Sequence, residues 1–162
     1  MSAARSRLPL LLGLLVLAAC TPPYIDKAQL PFARDYYKGC AREACPMRPE
    51  DMSLDQLYAV HLYGRRFHPW RSLAEPFARR GGAAIPFLRA RLDAARDGGE
   101  VGSIFEIFQA MRRSGTFEVR SDPGLVAAIL SAVGRVKHPG RYLRDEAEML
   151  ATGGAGAEPS AG

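Results

Sequence analysis

The chain has 162 residues, with 22 lysines and arginines against 17 aspartates and glutamates, which gives a formal net charge of +5 at neutral pH. So modest a positive excess gives no reason to expect nucleic-acid binding, which relies on a strongly basic surface. The length suits one domain with a proper hydrophobic core. Three cysteines are present, and an odd number leaves one thiol to explain if the protein is exported.

Residues 1–19 have the layout of a secretory signal peptide. Arg5 and Arg7 form a basic start, an apolar run follows, and two small residues precede Cys20, as in such peptides. The alternative is a membrane-spanning helix, but a span needs roughly 20 apolar residues, and this run ends sooner, where Thr21 begins. We therefore expect residues 1–19 to be removed, which lowers the net charge from +5 to +3.

The residues Leu17, Ala18, Ala19 and Cys20 resemble the lipobox of bacterial lipoproteins. The resemblance implies a diacylglyceryl group on the Cys20 thiol, cleavage before Cys20, and a further acyl chain, such as palmitate, on the new amino group. A thiolate suits this chemistry because it is a strong nucleophile, and two or three acyl chains anchor a protein stably. Thr21 stands where an Asp would favour retention in the inner membrane, so the resemblance implies a periplasmic protein anchored in the outer membrane.

Cys40 and Cys45 form an even pair once Cys20 is assigned to lipid. Export to an oxidising periplasm favours a disulfide, while free thiols, or a metal site that lacks two further ligands nearby, are the alternatives. Five residues of ideal helix rise about 7.5 Å, whereas bridged Cα atoms lie about 4.4–6.8 Å apart. If the bond forms, the backbone between Gly39 and Pro46 must therefore leave the regular helix.

The mature chain is predicted to form one all-α domain with extensions at both ends. Residues 20–33 contain three prolines and little periodicity, which predicts a lipidated N-terminus and flexible tether. Residues 151–162 lack large apolar side chains and are predicted to be disordered. Residues 34–150 are predicted to fold as short helices joined in antiparallel hairpins.

Apolar side chains at helical spacing predict the helices of this domain. They span about residues 52–66, 70–80, 84–96, 101–113, 123–136 and 141–150. Ser53 and Gln56 form a capping-box pattern, and Asp122 with Pro123 marks a helix start. Pro76 is expected to kink or split its helix. The inward face of the fifth helix is predicted to consist of Val126, Ile129, Leu130 and Val133.

Part of the domain repeats a short pattern. The sequence "ARRGG" at residues 78–82 recurs 33 residues later as "MRRSG" at residues 111–115. Residues 81–115 resemble a HEAT-like helical repeat, with a glycine turn, an apolar helix containing a proline, a turn of Asp and Gly, and a partner helix. The resemblance implies stacked antiparallel helix pairs, a fragment of an α-solenoid. A compact helical bundle is the alternative.

Arginine pairs end three of the predicted helices, Arg65 with Arg66, Arg79 with Arg80 and Arg112 with Arg113, and the last two pairs belong to the repeat. An arginine at a helix C-terminus complements the helix dipole by about 0.3–1 kcal/mol, and this structural role is the first interpretation. If the repeats stack in register, the four side chains line one edge. They then form a candidate anion-binding site for phospholipid headgroups or lipopolysaccharide phosphates.

The histidines and the single tryptophan suggest structural roles. His61, His68 and His138 lack the close spacing of metal ligands on one helix, so we expect no metal, and no cofactor apart from the lipid on Cys20. His61 lies on the apolar face of its helix and is expected to pack in the core. Trp70 is interpreted as a core anchor, with contact to a membrane interface or a polymer as the alternative.

No catalytic signature stands out in the chain. The serines lack the G-x-S-x-G context, and Glu75, Asp93, Glu100 and Glu106 show no paired arrangement for sugar chemistry. We therefore expect a non-catalytic interaction or structural module of the cell envelope with a protein partner there, and not an enzyme. An accessory enzyme that modifies peptidoglycan or lipid is the alternative.

Overall fold

The computed structural model describes residues 25–41, 45–67 and 73–154. These ranges contain seven α-helices and three short 3-10 turns, and none of their residues belongs to a β-strand. The all-α class is therefore confirmed. Cys20, His68 and Trp70 lie outside the described residues. The helices are α1 (Leu30–Cys40), α2 (Leu54–Phe67), α3 (Ala74–Ala78), α4 (Ile85–Ala94), α5 (Gly98–Arg113), α6 (Pro123–Arg135) and α7 (Arg141–Thr152).

Helix α5 is the centre of the fold. Its side chains are buried around most of its circumference, as expected for a helix surrounded by others. Helices α2, α3 and α7 pack against it, while α1 packs on α2, and α6 packs on both α4 and α7. The helices thus pack together around α5. The core side chains of α5 include Ile104, Phe105, Ile107 and Phe108.

The predicted capping box before α2 is present. The Gln56 backbone N–H donates to Ser53 Oγ at 3.2 Å, and the Ser53 N–H donates to Gln56 Oε1 at 3.0 Å. Asp122 is confirmed as the cap of α6, because its Oδ1 accepts a hydrogen bond from the Leu125 N–H at 3.0 Å. Both side chains satisfy backbone donors that a helix start leaves free.

The start of α5 and the end of α7 both differ from their predicted positions. Asp97 caps α5, accepting from the Gly99 N–H at 2.8 Å, so α5 begins at Gly98 rather than at residue 101. Glycines lower helix propensity, and the periodicity therefore placed the start too late. At the other end of the domain, α7 continues to Thr152, which lies within the range predicted as disordered.

Packed structure begins before residue 34, where the tether is predicted to end. Ile25 is only 4% exposed, and α1 begins at Leu30 and buries its own residue Ala33 in the core. Pro31 lies in the first turn of α1, where a missing N–H costs no hydrogen bond. A proline that suggests a tether in the sequence is therefore a helix start in the structure.

Helix α3 is shorter than the helix predicted over residues 70–80. Its described part runs from Ala74 to Ala78, and residues 68–72 lie outside the described ranges. Pro76 is the third residue of α3 and falls in its first turn, so it breaks no hydrogen bond inside the helix. The predicted kink or split at Pro76 stays a prediction, because residues 68–72 of the longer predicted helix lie outside the described ranges.

The prediction that Leu130 faces inward on α6 is wrong. Leu130 is 51% exposed, whereas Leu125 and Ile129 have no exposed surface. The buried stripe of α6 begins at Leu125 and passes through Ala128, Ile129, Ala132 and Val133, which leaves Leu130 on the opposite side. Because α6 carries apolar side chains on both sides, its sequence periodicity does not show which side is buried, and packing against other helices decides this.

Cys40 and Cys45 are joined as a disulfide, with their Cα atoms 4.1 Å apart. Helix α1 ends at Cys40, and Cys45 lies outside any helix. The expectation that the backbone leaves the regular helix between them is therefore confirmed. The bond ties the end of α1 to the segment that leads into α2.

Replacing both Cys40 and Cys45 with serine is expected to lower the free energy of unfolding by about 2 kcal/mol, because the cross-link closes a very short loop in the unfolded chain. Urea unfolding of the parent protein and of the double variant, each with and without a reductant, measures the effect. The reductant should lower the urea unfolding midpoint of the parent protein and leave that of the double variant unchanged. An equal shift in the double variant would contradict the assignment of the stabilisation to this bond.

Candidate functional site

The structure places the arginines of the candidate anion-binding edge at two adjacent turns. Gly81 and Gly115 both have positive φ, 53° and 67°, and each follows one of the arginine pairs. A Cβ built on Gly81 lies 3.5 Å from the Thr116 carbonyl oxygen, so the two turns touch. The two arginine pairs therefore lie close together, as the packing of α3 on α5 requires.

Arg79 and Arg80 both bind the segment before α2. Arg79 pairs with the Glu50 carboxylate. Arg80 Nη2 donates to the carbonyl oxygens of Glu50 at 2.6 Å and Met52 at 2.9 Å. These guanidinium groups hold the 3-10 turn Pro49–Asp51 against the end of α3.

Arg112 and Arg113 also have acceptors inside the chain. Arg112 Nη2 donates to the carbonyl oxygen of Gly154 at 2.9 Å and lies 3.3 Å from that of Gly153, at the end of α7. Arg113 lies 3.6 Å from the Glu75 carboxylate. An anion at this edge would compete with these bonds and with those of Arg79 and Arg80, so anion binding there stays a prediction.

A line of polar groups, which we call the polar seam, joins α2 to α5; all are side chains except at Ser103, which contributes its backbone carbonyl oxygen. It consists of Tyr58, His61 and Arg65 on α2 and Glu100, Ser103 and Glu106 on α5. The members on each helix are three or four residues apart, so they share one face. His61 was recognised in the sequence as a core residue, but its partners were not predicted.

His61 is the most deeply buried member of the polar seam. It has no exposed surface, and its Nε2 lies 3.1 Å from the Ser103 carbonyl oxygen. Because a carbonyl only accepts, Nε2 carries the hydrogen, and Nδ1 has no partner among the described residues. Burial lowers the pKa of His61, although the nearby Glu106 carboxylate and the bond to Ser103 act in the opposite direction. The histidine is therefore held neutral.

Glu100 is a buried carboxyl group at the start of α5. It is 8% exposed and accepts a hydrogen bond from the Tyr58 hydroxyl at 3.1 Å. Burial raises the pKa of Glu100, while the Tyr58 hydroxyl and the charge of Arg91 lower it. Arg91 also lies over the Tyr58 ring, 5.4 Å from its centroid, and pairs with Asp55.

The remaining polar contacts of the seam tie α5 to its neighbours. Arg65 Nη1 lies 3.0 Å from Glu106 Oε2, and each of these two side chains is about a third exposed. A Cβ on Gly102 would lie 3.4 Å from Arg65 Nη2, so a glycine leaves room for the guanidinium group. Further along α5, Gln109 donates to Glu146 of α7 at 2.8 Å, and the same carboxylate raises the pKa of Tyr142 to about 12.

The polar seam is closed rather than open to substrate. Most of its polar groups bond to one another; the exceptions are the Ser103 hydroxyl, which donates to the Gly99 carbonyl oxygen, and His61 Nδ1, which has no partner among the described residues. The carboxylates singled out in the sequence do not converge, since Glu75 pairs with Arg113, Glu100 with Tyr58 and Glu106 with Arg65. Within the described ranges, no group of three or more His, Cys, Asp or Glu side chains is placed to hold a metal ion. The arrangement fixes helices relative to one another.

The surface of the described residues includes two grooves between neighbouring helices. The first, of about 240 Å³, lies between α1 and α2. The second, of about 360 Å³, lies between α6 and α7 and includes the exposed Leu130. The lining of the first groove is Arg34, Tyr37, Lys38, Ala41 and Tyr63, and that of the second is Leu130, Val133, Arg144, Ala147, Glu148, Ala151 and Thr152.

Aromatic rings form a row along the groove between α1 and α2. The Tyr37 and Tyr63 rings stack with centroids 5.8 Å apart, and Phe67 packs on Tyr63 at 4.6 Å. Phe67 is one of three large apolar residues exposed in the described ranges. The charged side chains that line this groove, Arg34 and Lys38, are both basic.

Comparison with known proteins yields no relative of this chain. No family model matches it, and no curated protein or solved structure is significantly similar to it. Among the described helices, none combines the length and apolar character that a membrane crossing requires. Its function therefore has to be inferred from its own residues.

Proposed function

We propose that the chain is a lipoprotein, anchored to a membrane and facing the periplasm, that acts as a non-catalytic interaction or structural module of the cell envelope. One observation carries the proposal: Leu17-Ala18-Ala19-Cys20 directly follows a basic start and an apolar run. Cys20 becomes the mature N-terminus and carries a diacylglyceryl group on its sulfur and an acyl chain on its nitrogen. Two or three chains hold a protein at a membrane stably.

The disulfide supports the proposed compartment. Structural disulfides persist in oxidising compartments such as the periplasm and are rare in the cytosol. Cys40 and Cys45 lie at bonding distance, and with Cys20 assigned to lipid, no thiol in the chain remains unassigned.

The polar seam supports a structural rather than a catalytic role. Catalytic acids and bases need access to substrate, whereas His61 and Glu100 point into the interface of α2 and α5. We therefore propose that the domain acts through its surface, by binding a protein partner in the cell envelope. Chemical cross-linking of the lipidated protein in envelope membranes, followed by identification of the linked chains, is the direct search for that partner.

Replacing Cys20 with serine tests the anchor. We expect the variant to lack the mass of the lipid, to escape cleavage by lipoprotein signal peptidase, and to be released from membranes once its signal peptide is cut elsewhere. Mass spectrometry of the N-terminal peptide and fractionation of cells measure these effects. The double variant Cys40→Ser/Cys45→Ser is the matched control, because it should keep the lipid. A Cys20→Ser protein that matures and partitions like the parent would refute the proposal.

A further inference from the structure

We infer that one face of the domain lies against the phospholipid headgroups of the membrane that holds the Cys20 lipid. This inference rests on the proposed lipoprotein function. The surface, which we call the α1–α2 face, consists of the groove between α1 and α2 together with the aromatic residue beside it. Its residues are Arg34, Tyr37, Lys38, Ala41, Tyr63 and Phe67.

The distance between anchor and domain is short. Ile25 is packed into the fold at 4% exposure, and only four residues separate it from Cys20. A chain spans at most about 3.6 Å per residue, so the two Cα atoms lie within about 18 Å of each other. A domain of about 130 residues has a radius of gyration near 14 Å. A compact domain of that size has a diameter of about 36 Å, which is twice the length of the link, so the domain stays close to the membrane surface.

The basic residues of the α1–α2 face lie close to the point of attachment. The Leu30 N–H donates to the Asp26 carbonyl oxygen at 3.0 Å, so α1 starts one turn after Ile25. Arg34 and Lys38 follow Leu30 by four and eight residues, which places them about 6 and 12 Å further along the helix axis. Both therefore fall within the part of the domain that the anchor holds near the headgroups.

These side chains are available for phosphate groups. Arg34 and Lys38 are 55% and 65% exposed, and their contacts to Asp35 are long, 3.8 and 3.9 Å. Exposed pairs of this kind contribute little and can be exchanged for a headgroup phosphate. The four arginines of the edge near α3 and α5 differ, because they bind carboxylates or backbone carbonyls within the protein.

The apolar part of the α1–α2 face also suits a bilayer surface. Phe67 is 37% exposed and extends the stacked rings of Tyr37 and Tyr63 to the surface. Aromatic rings beside basic side chains are typical of the interface between hydrocarbon and water. The groove between α6 and α7 lacks both a link to the anchor and a basic lining, since Arg144 is accompanied there by Glu148.

Headgroup contact can be measured on the full lipidated protein in vesicles of phosphatidylethanolamine and phosphatidylglycerol that contain a headgroup spin label. A fluorophore is placed on the single variants Lys38→Cys and Lys137→Cys; Lys137 is an exposed lysine after α6. Each variant loses one lysine, so the two are matched in charge, and the α1–α2 face keeps Arg34 and its aromatic rings. Cys20 is blocked by lipid, and the disulfide blocks the other two cysteines. We expect strong quenching at position 38 and weak quenching at position 137.

The charge contribution is tested within the protein labelled at position 38. A basic residue at an anionic surface contributes about fivefold to binding, so Arg34→Glu should shift the ratio of membrane-facing to other orientations by at least that factor. Arg141→Glu, at a side chain that is 90% exposed, is the matched control and should change nothing. Vesicles of phosphatidylcholine alone should reduce the quenching in the parent.

The outcomes separate the two proposals. Equal quenching at positions 38 and 137 in protein whose Cys20 carries lipid would overturn the membrane-facing orientation and leave the lipoprotein function intact. Energy transfer between labels at position 38 that rises with protein density would mean that a second copy covers the face, which also overturns it. Cys20 found without lipid by mass spectrometry would overturn both.

Discussion

Replacing Phe77 with alanine is expected to lower the free energy of unfolding by about 3–5 kcal/mol, the range for a large buried aromatic side chain. Phe77 has no exposed surface. Its ring lies 6.4 Å from the rings of Tyr58, His61 and Phe87, measured between centroids. The single side chain therefore joins α2, α3 and α4, and the cavity left by its removal has walls from all three.

The effect should also be non-local, because α3 is a helix of five residues that cannot be stable without its contacts. Urea unfolding measures the change, and Leu130→Ala is the control. Leu130 is 51% exposed, so its truncation should cost less than about 1 kcal/mol. A loss for Leu130→Ala as large as that for Phe77→Ala would contradict the placement of both side chains.

Acid is expected to destabilise the domain through His61. Burial lowers the pKa of His61 below its ordinary value of 6.5, so below pH 6.5 the unfolded chain binds a proton that the folded chain does not. Stability then rises with pH, which means that it falls as the pH drops below 6.5. The limit for one proton is about 1.4 kcal/mol per pH unit. A proton on Nδ1 would also lack an acceptor among the described residues.

Glu100 makes the stability of the domain change with pH in the opposite direction over part of the acidic range. Burial raises its pKa above 4.5, so the folded chain binds the extra proton and stability falls as the pH rises from 4.5 through the folded pKa. The His61 effect is therefore best measured in Glu100→Gln, whose side-chain oxygen can still accept from the Tyr58 hydroxyl.

Urea midpoints between pH 5 and pH 8 measure the histidine effect in that background. Adding His61→Gln should remove the loss of stability below pH 6.5, whereas adding His138→Gln, at an exposed position, should leave it. A loss that persists in His61→Gln would assign the acid sensitivity to another group.

Local signals in the sequence predicted helix ends better than helix partners. Ser53, Gln56 and Asp122 act within three residues of themselves, so their capping roles are readable from the sequence and are confirmed. Leu130 depends on which of two apolar sides of α6 meets α4 and α7, and this is decided by packing across the fold. The periodicity of one helix cannot distinguish the two sides.

The contacts of the polar seam and of the arginines could not be predicted from the sequence for the same reason. Tyr58 and His61 lie at helical spacing on one element and Glu100 and Ser103 on another, and each residue alone is unremarkable in sequence. Pairing them requires knowing that α2 lies on α5, about forty residues away. Likewise, an arginine at a helix end suggests a role at that end, whereas Arg80 serves the turn before α2.

The guanidinium contacts have a consequence for how the domain opens. Arg112 binds the carbonyl of Gly154, just past the end of α7, and Arg135 binds that of Leu92 near the end of α4, each at 2.9 Å. The last turn of a helix ordinarily frays alone, since its carbonyl groups have no partner in the helix. Here, fraying of one helix end breaks a bond to a different helix. Amide hydrogens in these turns should therefore exchange with solvent through cooperative opening of several helices at once.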